Sequence, residues 1–163
     1  MAGDQSSAWQ PFRDLDLSAW SQLVSIRDRG RLSLPPAVRQ RLPWLDEPGD
    51  CLAILRGDRS VELVDWKGHG ERVVASVSER YRHLPEGERS RFALAVMDRF
   101  ARLTREKSGR LTLPGVLIAQ LDRSKRNAVR VVVWDKGLFL WDDGVWEDTK
   151  AERLRLLEEE GLI

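Results

Sequence analysis

One eleven-residue pattern occurs twice in this chain of 163 residues. The first copy is Ser25-Ile26-Arg27-Asp28-Arg29-Gly30-Arg31-Leu32-Ser33-Leu34-Pro35. The second, 79 residues later, is Thr104-Arg105-Glu106-Lys107-Ser108-Gly109-Arg110-Leu111-Thr112-Leu113-Pro114. Glycine, arginine, leucine, a hydroxyl residue, leucine and proline keep their order. Such a repeat constrains the fold more than any local propensity, because both copies must form the same supersecondary unit. Gly30 and Gly109 supply a turn where positive φ costs little. Arg31–Leu34 and Arg110–Leu113 alternate polar and apolar, which predicts a strand with one buried face. Pro35 and Pro114 end that strand and open a helix, since the first helical position needs no N–H.

The residues after each copy also repeat. Cys51–Arg56, a turn at Gly57-Asp58 and Val61–Val64 lead to Trp66. Val129–Trp134, a turn at Asp135–Gly137 and Leu138–Trp141 lead to Trp146. Both pairs read as hairpins. The matched order favours a duplicated β-β-α-β-β unit over two unrelated hairpins sharing a turn sequence. The organisation predicted is an N-terminal arm (1–20), a first repeat (21–66), a helical insert (67–98), a second repeat (99–143) and a C-terminal helix (144–163). The arm combines Gly3, Gln5, Ser6 and Ser7 with apolar Trp9, Phe12, Leu15, Leu17 and Trp20, and is expected to pack on its own body or on a neighbouring subunit. In the insert, Phe92, Leu94, Ala95, Val96 and Met97 give one helix an apolar face. Leu154, Leu156 and Leu157 do the same for the last helix.

Several function classes are disfavoured. No run is long and apolar enough to span a bilayer. Met1-Ala2-Gly3-Asp4-Gln5-Ser6 lacks the basic start and apolar core of a secretory signal. The single cysteine, Cys51, excludes an internal disulfide framework and reads as a small buried hydrophobe of a reducing, cytoplasmic compartment. His69 and His83 lack metal-ligand spacing, and no phosphate-cradling glycine loop, nucleophile elbow or zinc-protease motif is present. The expectation is a non-catalytic protein without metal or cofactor.

Charge is segregated although the net charge is only +1. Arg27 to Arg41 holds five arginines against Asp28, and Arg99 to Arg130 holds nine Lys/Arg against Glu106 and Asp122. From Asp142 to Ile163 eight acids face Lys150, Arg153 and Arg155. This pattern suggests a polyanion-binding face set apart from an acidic helix. The candidate contacts are Arg27, Arg29 and Arg31 at one turn, Arg105, Lys107 and Arg110 at the other, and Arg39 on the helix after the first turn. Arginine neutralises phosphate and reads guanine through a bidentate pair, and a hairpin can enter a major groove turn-first. The competing reading is a pair of solvated turns, with Arg31 and Arg110 paired internally to carboxylates. The seven tryptophans read as core and subunit interface rather than as a stacking platform for single-stranded nucleic acid, because they are not interleaved with the basic turns.

The pattern x-x-Gly-Arg-Leu-x-Leu-Pro, followed by a short helix and a Gly-turn hairpin, resembles the AbrB/SpoVT swapped-hairpin family. Two copies in one chain, with a helical insert between them and a helix after them, resemble its MraZ branch over about residues 21 to 150. The resemblance implies an α+β fold in which tandem AbrB-like repeats form a small β-barrel. It also implies a nucleoid-associated transcriptional regulator that binds double-stranded DNA through both basic turns and assembles into a homo-oligomeric ring. The chain departs from the family pattern where an aspartate is usual four residues before the arginine: Arg27 and Glu106 stand there. A helix arginine is present as Arg39 in the first copy, but the second has Ile118. These departures favour an alternative on the same scaffold, an antitoxin or anti-activator whose C-terminal helix or N-terminal arm binds a partner protein.

Overall fold

The computed structural model describes residues 19–163. The arm predicted over residues 1–20 therefore lies outside the described residues except at its end, where Ala19 and Trp20 already belong to a strand. The first repeat comprises β1 (Ala19–Arg27), β2 (Arg31–Ser33), α1 (Pro36–Arg41), β3 (Gly49–Leu55) and β4 (Val61–Asp65). The insert comprises α2 (Glu71–Arg82) and α3 (Glu86–Arg99). The second repeat comprises β5 (Phe100–Glu106), β6 (Arg110–Thr112), α4 (Gly115–Leu121), β7 (Ala128–Trp134) and β8 (Gly137–Trp141), and α5 (Asp143–Glu159) comes last. α1 and α4 each start directly after the repeated proline, as the sequence predicts.

The strands form one closed antiparallel barrel in the order β1-β2-β6-β5-β3-β4-β8-β7. Closure leaves no strand edge to be covered. Alternation along each strand sends one set of side chains inward, including Val24, Leu32, Cys51, Leu63, Leu103, Leu111, Val131 and Leu140. Val38 and Leu42, at and just after α1, and Leu117 and Leu121 of α4 complete the same core.

Pairing crosses between the repeats. β1 pairs with β7, β3 with β5, β2 with β6 and β4 with β8. Neither repeat closes a core alone, so the two form one folding unit related by a pseudo-two-fold exchange. The long β1–β7 ladder, from Ala19 opposite Trp134 to Ser25 opposite Ala128, is why β1 starts earlier than hydrophobic alternation alone indicates. The two repeated turns also lock together: the Leu34 N–H donates to the Gly109 carbonyl at 3.0 Å, and the Leu113 N–H donates to the Gly30 carbonyl at 2.8 Å.

The helices outside the barrel are different. α2, α3 and α5 carry no fully buried residue. The single apolar faces expected on α3 and α5 are not found: Phe92 and Val96 of α3 are half-buried while Leu94 and Met97 are exposed, and Leu154 and Leu156 of α5, about 200° apart around the helix, are both exposed. α5 is capped at its start by Asp142, whose carboxylate accepts from the Val145 N–H at 3.2 Å. Among the described residues no helix is long and apolar enough to cross a membrane.

Candidate nucleic-acid interface

Each repeated turn reverses the chain through two successive residues of positive φ. These are Arg29 (64°) and Gly30 (74°) in the first, and Ser108 (65°) and Gly109 (70°) in the second. Only the second residue of each pair must be glycine. A Cβ on Gly30 would sit 2.5 Å from the Leu113 carbonyl oxygen, a backbone atom held by the interlock. A Cβ on Gly109 would meet the flexible Arg39 side chain at 2.6 Å, and one on Gly57 would meet nothing within 4 Å. Gly30→Ala is thus expected to cost about 2 kcal/mol or more, from left-handed strain plus the backbone clash, and Gly109→Ala about 1 kcal/mol. Gly57→Ala is expected to be near neutral. Denaturant midpoints of the three variants check this order.

The β2–β6 pair sets the geometry of the basic face. Arg31 stands opposite Thr112 and Ser33 opposite Arg110, with Leu32 and Leu111 between them pointing into the core. The two arginines therefore lie on a diagonal of one outward surface, each facing a hydroxyl residue. The same surface continues to Arg27, opposite Arg31, and to Glu106, opposite Arg110. Arg27, Arg29, Arg31, Lys107 and Arg110 are all exposed, and no ion pair joins any of them to another described residue. Five cations against Asp28 and Glu106 leave this face strongly positive. The internal pairing considered for Arg31 and Arg110 is not found among the described residues.

Two of the sequence-predicted contacts belong elsewhere. Arg105 is only 4% exposed, because strand alternation sends it inward with Leu103. Its Nε donates to the Glu47 carbonyl at 2.5 Å, its Nη1 lies 3.2 Å from Asp65 Oδ1, and its guanidinium sits 4.9 Å over the Trp44 ring. Arg105 is an internal cation neutralised by Asp65, and the corresponding residue in the first repeat is Ile26. Arg39 lays its aliphatic stem over Gly109 and pairs its head with Asp46 at 3.2 Å. Ile118 occupies the mirror-related place over Gly30. This packing explains the Arg39/Ile118 exchange between repeats: the position needs an apolar stem against a glycine, and Arg39 is not part of the exposed basic face.

Cys51 is fully buried, with its Sγ 3.3 Å from Arg105 Nη1. Burial pushes its thiol pKa up, and the Arg105 hydrogen bond offsets only part of that. Once pH exceeds the ordinary thiol range, the unfolded chain loses this proton while the folded chain keeps it. The contribution is therefore full below that range and falls as pH rises through it. Denaturant midpoints near neutral pH and at high pH are expected to diverge more for the natural chain than for Cys51→Ala.

A scan against protein-family models and a search of curated proteins each return no match to this chain.

The side-by-side placement of the turns is the part of this interface that sequence reasoning misses, together with Ser33 and Thr112 as its hydroxyl members. Alternation marks those two residues as outward-facing, but only the β2–β6 pairing brings them against the arginines.

Proposed function

We propose that the chain is a DNA-binding transcriptional regulator of the MraZ-like, AbrB-type swapped-hairpin kind, acting without catalysis. The observation that carries this reading is the exposed β2–β6 face, where both repeated turns lie together and five cations stand without a described ion-pair partner. Exchange of the first hairpins between the repeats supports the same assignment. Double-stranded DNA is the polyanion that suits such a face. Phosphate contacts from Arg27, Arg29 and Lys107 supply affinity and register, and Arg31 and Arg110 are placed to reach base edges. The exposed apolar side chains of α2, α3 and α5, among them Tyr81, Met97 and Leu156, favour association with further copies of the chain, as in a ring. Several weak contacts on repeated promoter elements then add through effective concentration, and the promoter is occluded.

The competing reading, a protein-interaction module of the antitoxin or anti-activator kind, is favoured by α5, which carries Leu154, Leu156 and Leu157 exposed among acidic residues. Anisotropy of a labelled random-sequence duplex, titrated between about 50 and 200 mM salt, separates the two. On a random-sequence duplex, where no base is read, all five cations are expected to neutralise phosphates, which predicts a log–log slope of about −4 to −5. Absence of binding at the lowest salt sinks the regulator reading and leaves the interaction module.

A further inference from the structure

The strand ends remote from the turns carry a second, chemically distinct feature. Gly49 and Ala128, at the starts of β3 and β7, pair beside the turns with Arg105 and Ser25, so the other ends of these strands lie away from the basic face. There, Trp134, Phe139, Trp141 and Trp146 line a groove of about 470 Å³. A neighbouring pocket of about 380 Å³ is lined by Arg56, Arg59, Arg99 and Arg123, with Gln120 and Asp98. The two depressions share Arg56 and Gly57, so aromatic and cationic walls meet in one continuous surface.

The chemistry of each wall is specific. Trp134 is 53% exposed, an unusually open position for an indole. Trp141 and Trp146 meet edge to face at 5.6 Å, and the Arg153 guanidinium lies 4.1 Å over the Trp146 ring, which holds that side of the groove in place. On the cationic side, Arg56 is paired with Glu62 at 2.5 Å and Arg123 donates to Gln120 at 3.3 Å. Arg59 and Arg99 form no ion pair with another described residue, and Asp98 is the acid on the described pocket wall. Positive charge is therefore in excess. Planar guanidinium forks match phosphate oxygens, and exposed aromatic faces stack on bases. Trp134 and Phe139 are not a requirement of the strand pattern. At the pseudo-symmetric places in the first repeat, Trp134 and Phe139 are replaced by Arg56 and Glu62, which are paired to each other.

We propose that this surface is a second ligand site that takes an aromatic base carrying a phosphate chain, a nucleoside polyphosphate, with the base on Trp134 and the phosphates on the arginine pocket. The same chemistry is offered by a single-stranded segment of nucleic acid, and the experiment separates the two sources. The site does not depend on duplex binding at the turns.

Isothermal titration of the full-length protein with ATP, GTP, inorganic triphosphate and a short single-stranded oligonucleotide tests it. Both nucleotides are expected to bind. Trp134→Ala is expected to weaken the nucleotides by about tenfold while leaving inorganic triphosphate unchanged. Arg59→Ala combined with Arg99→Ala is expected to weaken the nucleotides and inorganic triphosphate alike, and Arg31→Ala combined with Arg110→Ala to change none of them. The substituted residues are exposed, and circular dichroism confirms that each variant is folded. No binding of either nucleotide at millimolar concentration overturns the proposal. So does equal binding of nucleotide and inorganic triphosphate with no response to Trp134→Ala, which marks a simple anion cluster. Binding of the oligonucleotide without the mononucleotides overturns it in favour of a single-strand site.

Discussion

Changing Arg31 and Arg110 together to alanine is expected to lower affinity for a specific duplex site about a hundredfold or more, and to reduce the salt slope on random-sequence duplex, where both would meet phosphates, by about two units. Their placement is the reason. Both side chains leave the outward surface of the β2–β6 ladder, on a diagonal, beside Thr112 and Ser33. Neither is held by an ion pair with a described residue, so each is available to a phosphate or to the edge of a guanine. A good bidentate base contact is worth about 1–3 kcal/mol, and two of them multiply. Because the residues are exposed, removing them is expected to change stability by no more than about 0.5 kcal/mol. Pseudo-symmetry adds a finer expectation: the single variants lose similar amounts, with Arg31→Ala somewhat worse because Arg27 and Arg29 lie on its side. Anisotropy titrations paired with thermal melts report both quantities. Unchanged affinity in a folded double variant removes this face from consideration.

Arg105→Ala is expected to behave in the opposite way, costing about 3–5 kcal/mol of stability without touching the basic face. The substitution leaves Asp65 without its cation and the Glu47 and Asp50 carbonyls without their donor. It also removes the cation over Trp44 and the hydrogen bond to Cys51. Arg105 is buried but Asp65 is 30% exposed and keeps part of its hydration, so much of the loss falls on the two carbonyls left without a donor and on the space the guanidinium fills. Arg105→Ile shows the point. It installs the side chain that the first repeat carries as Ile26, yet is expected to remain destabilising while Asp65 is present. Combining it with Asp65→Leu is expected to recover part of the loss, the Glu47 and Asp50 carbonyls remaining without their donor. Urea denaturation of the single and double variants measures this, and a single variant as stable as the natural chain would refute the internal role of Arg105.

The contrast between these arginines shows where sequence reasoning is strong and where it runs out. The duplicated turn, the helix-opening prolines and both hairpins are local features, set by Gly30, Gly109, Pro35 and Pro114 and by alternation in the strands. They are found where the sequence puts them. Barrel closure is non-local. Nothing in a single repeat states that β1 will pair with β7 or that the turn glycines will bond to each other's leucines. Arg105 resembles a turn cation because it lies in a basic run. The signal against it is its strand parity with Leu103, and its partners Asp65 and Glu47 are remote in the chain. Arg39 carries a comparable clue in Ile118, which marks a position that accepts an apolar stem. The tryptophans have no basic turn around them in sequence, which points to interior or interface. In the fold, Trp134 is open, and the arginines beside it come from β3–β4, the end of α3 and the residues after α4.

The most direct measurement is selection of bound duplexes from a random-sequence library by the natural chain and by the Arg31→Ala, Arg110→Ala variant, at low and at moderate salt. The natural chain is predicted to enrich a short element that recurs at fixed spacing, with retention falling steeply as salt rises, and the variant to lose that enrichment while remaining folded. No enrichment by the natural chain at low salt, or the same enriched element from the variant, would contradict a regulator that reads DNA through its paired basic turns.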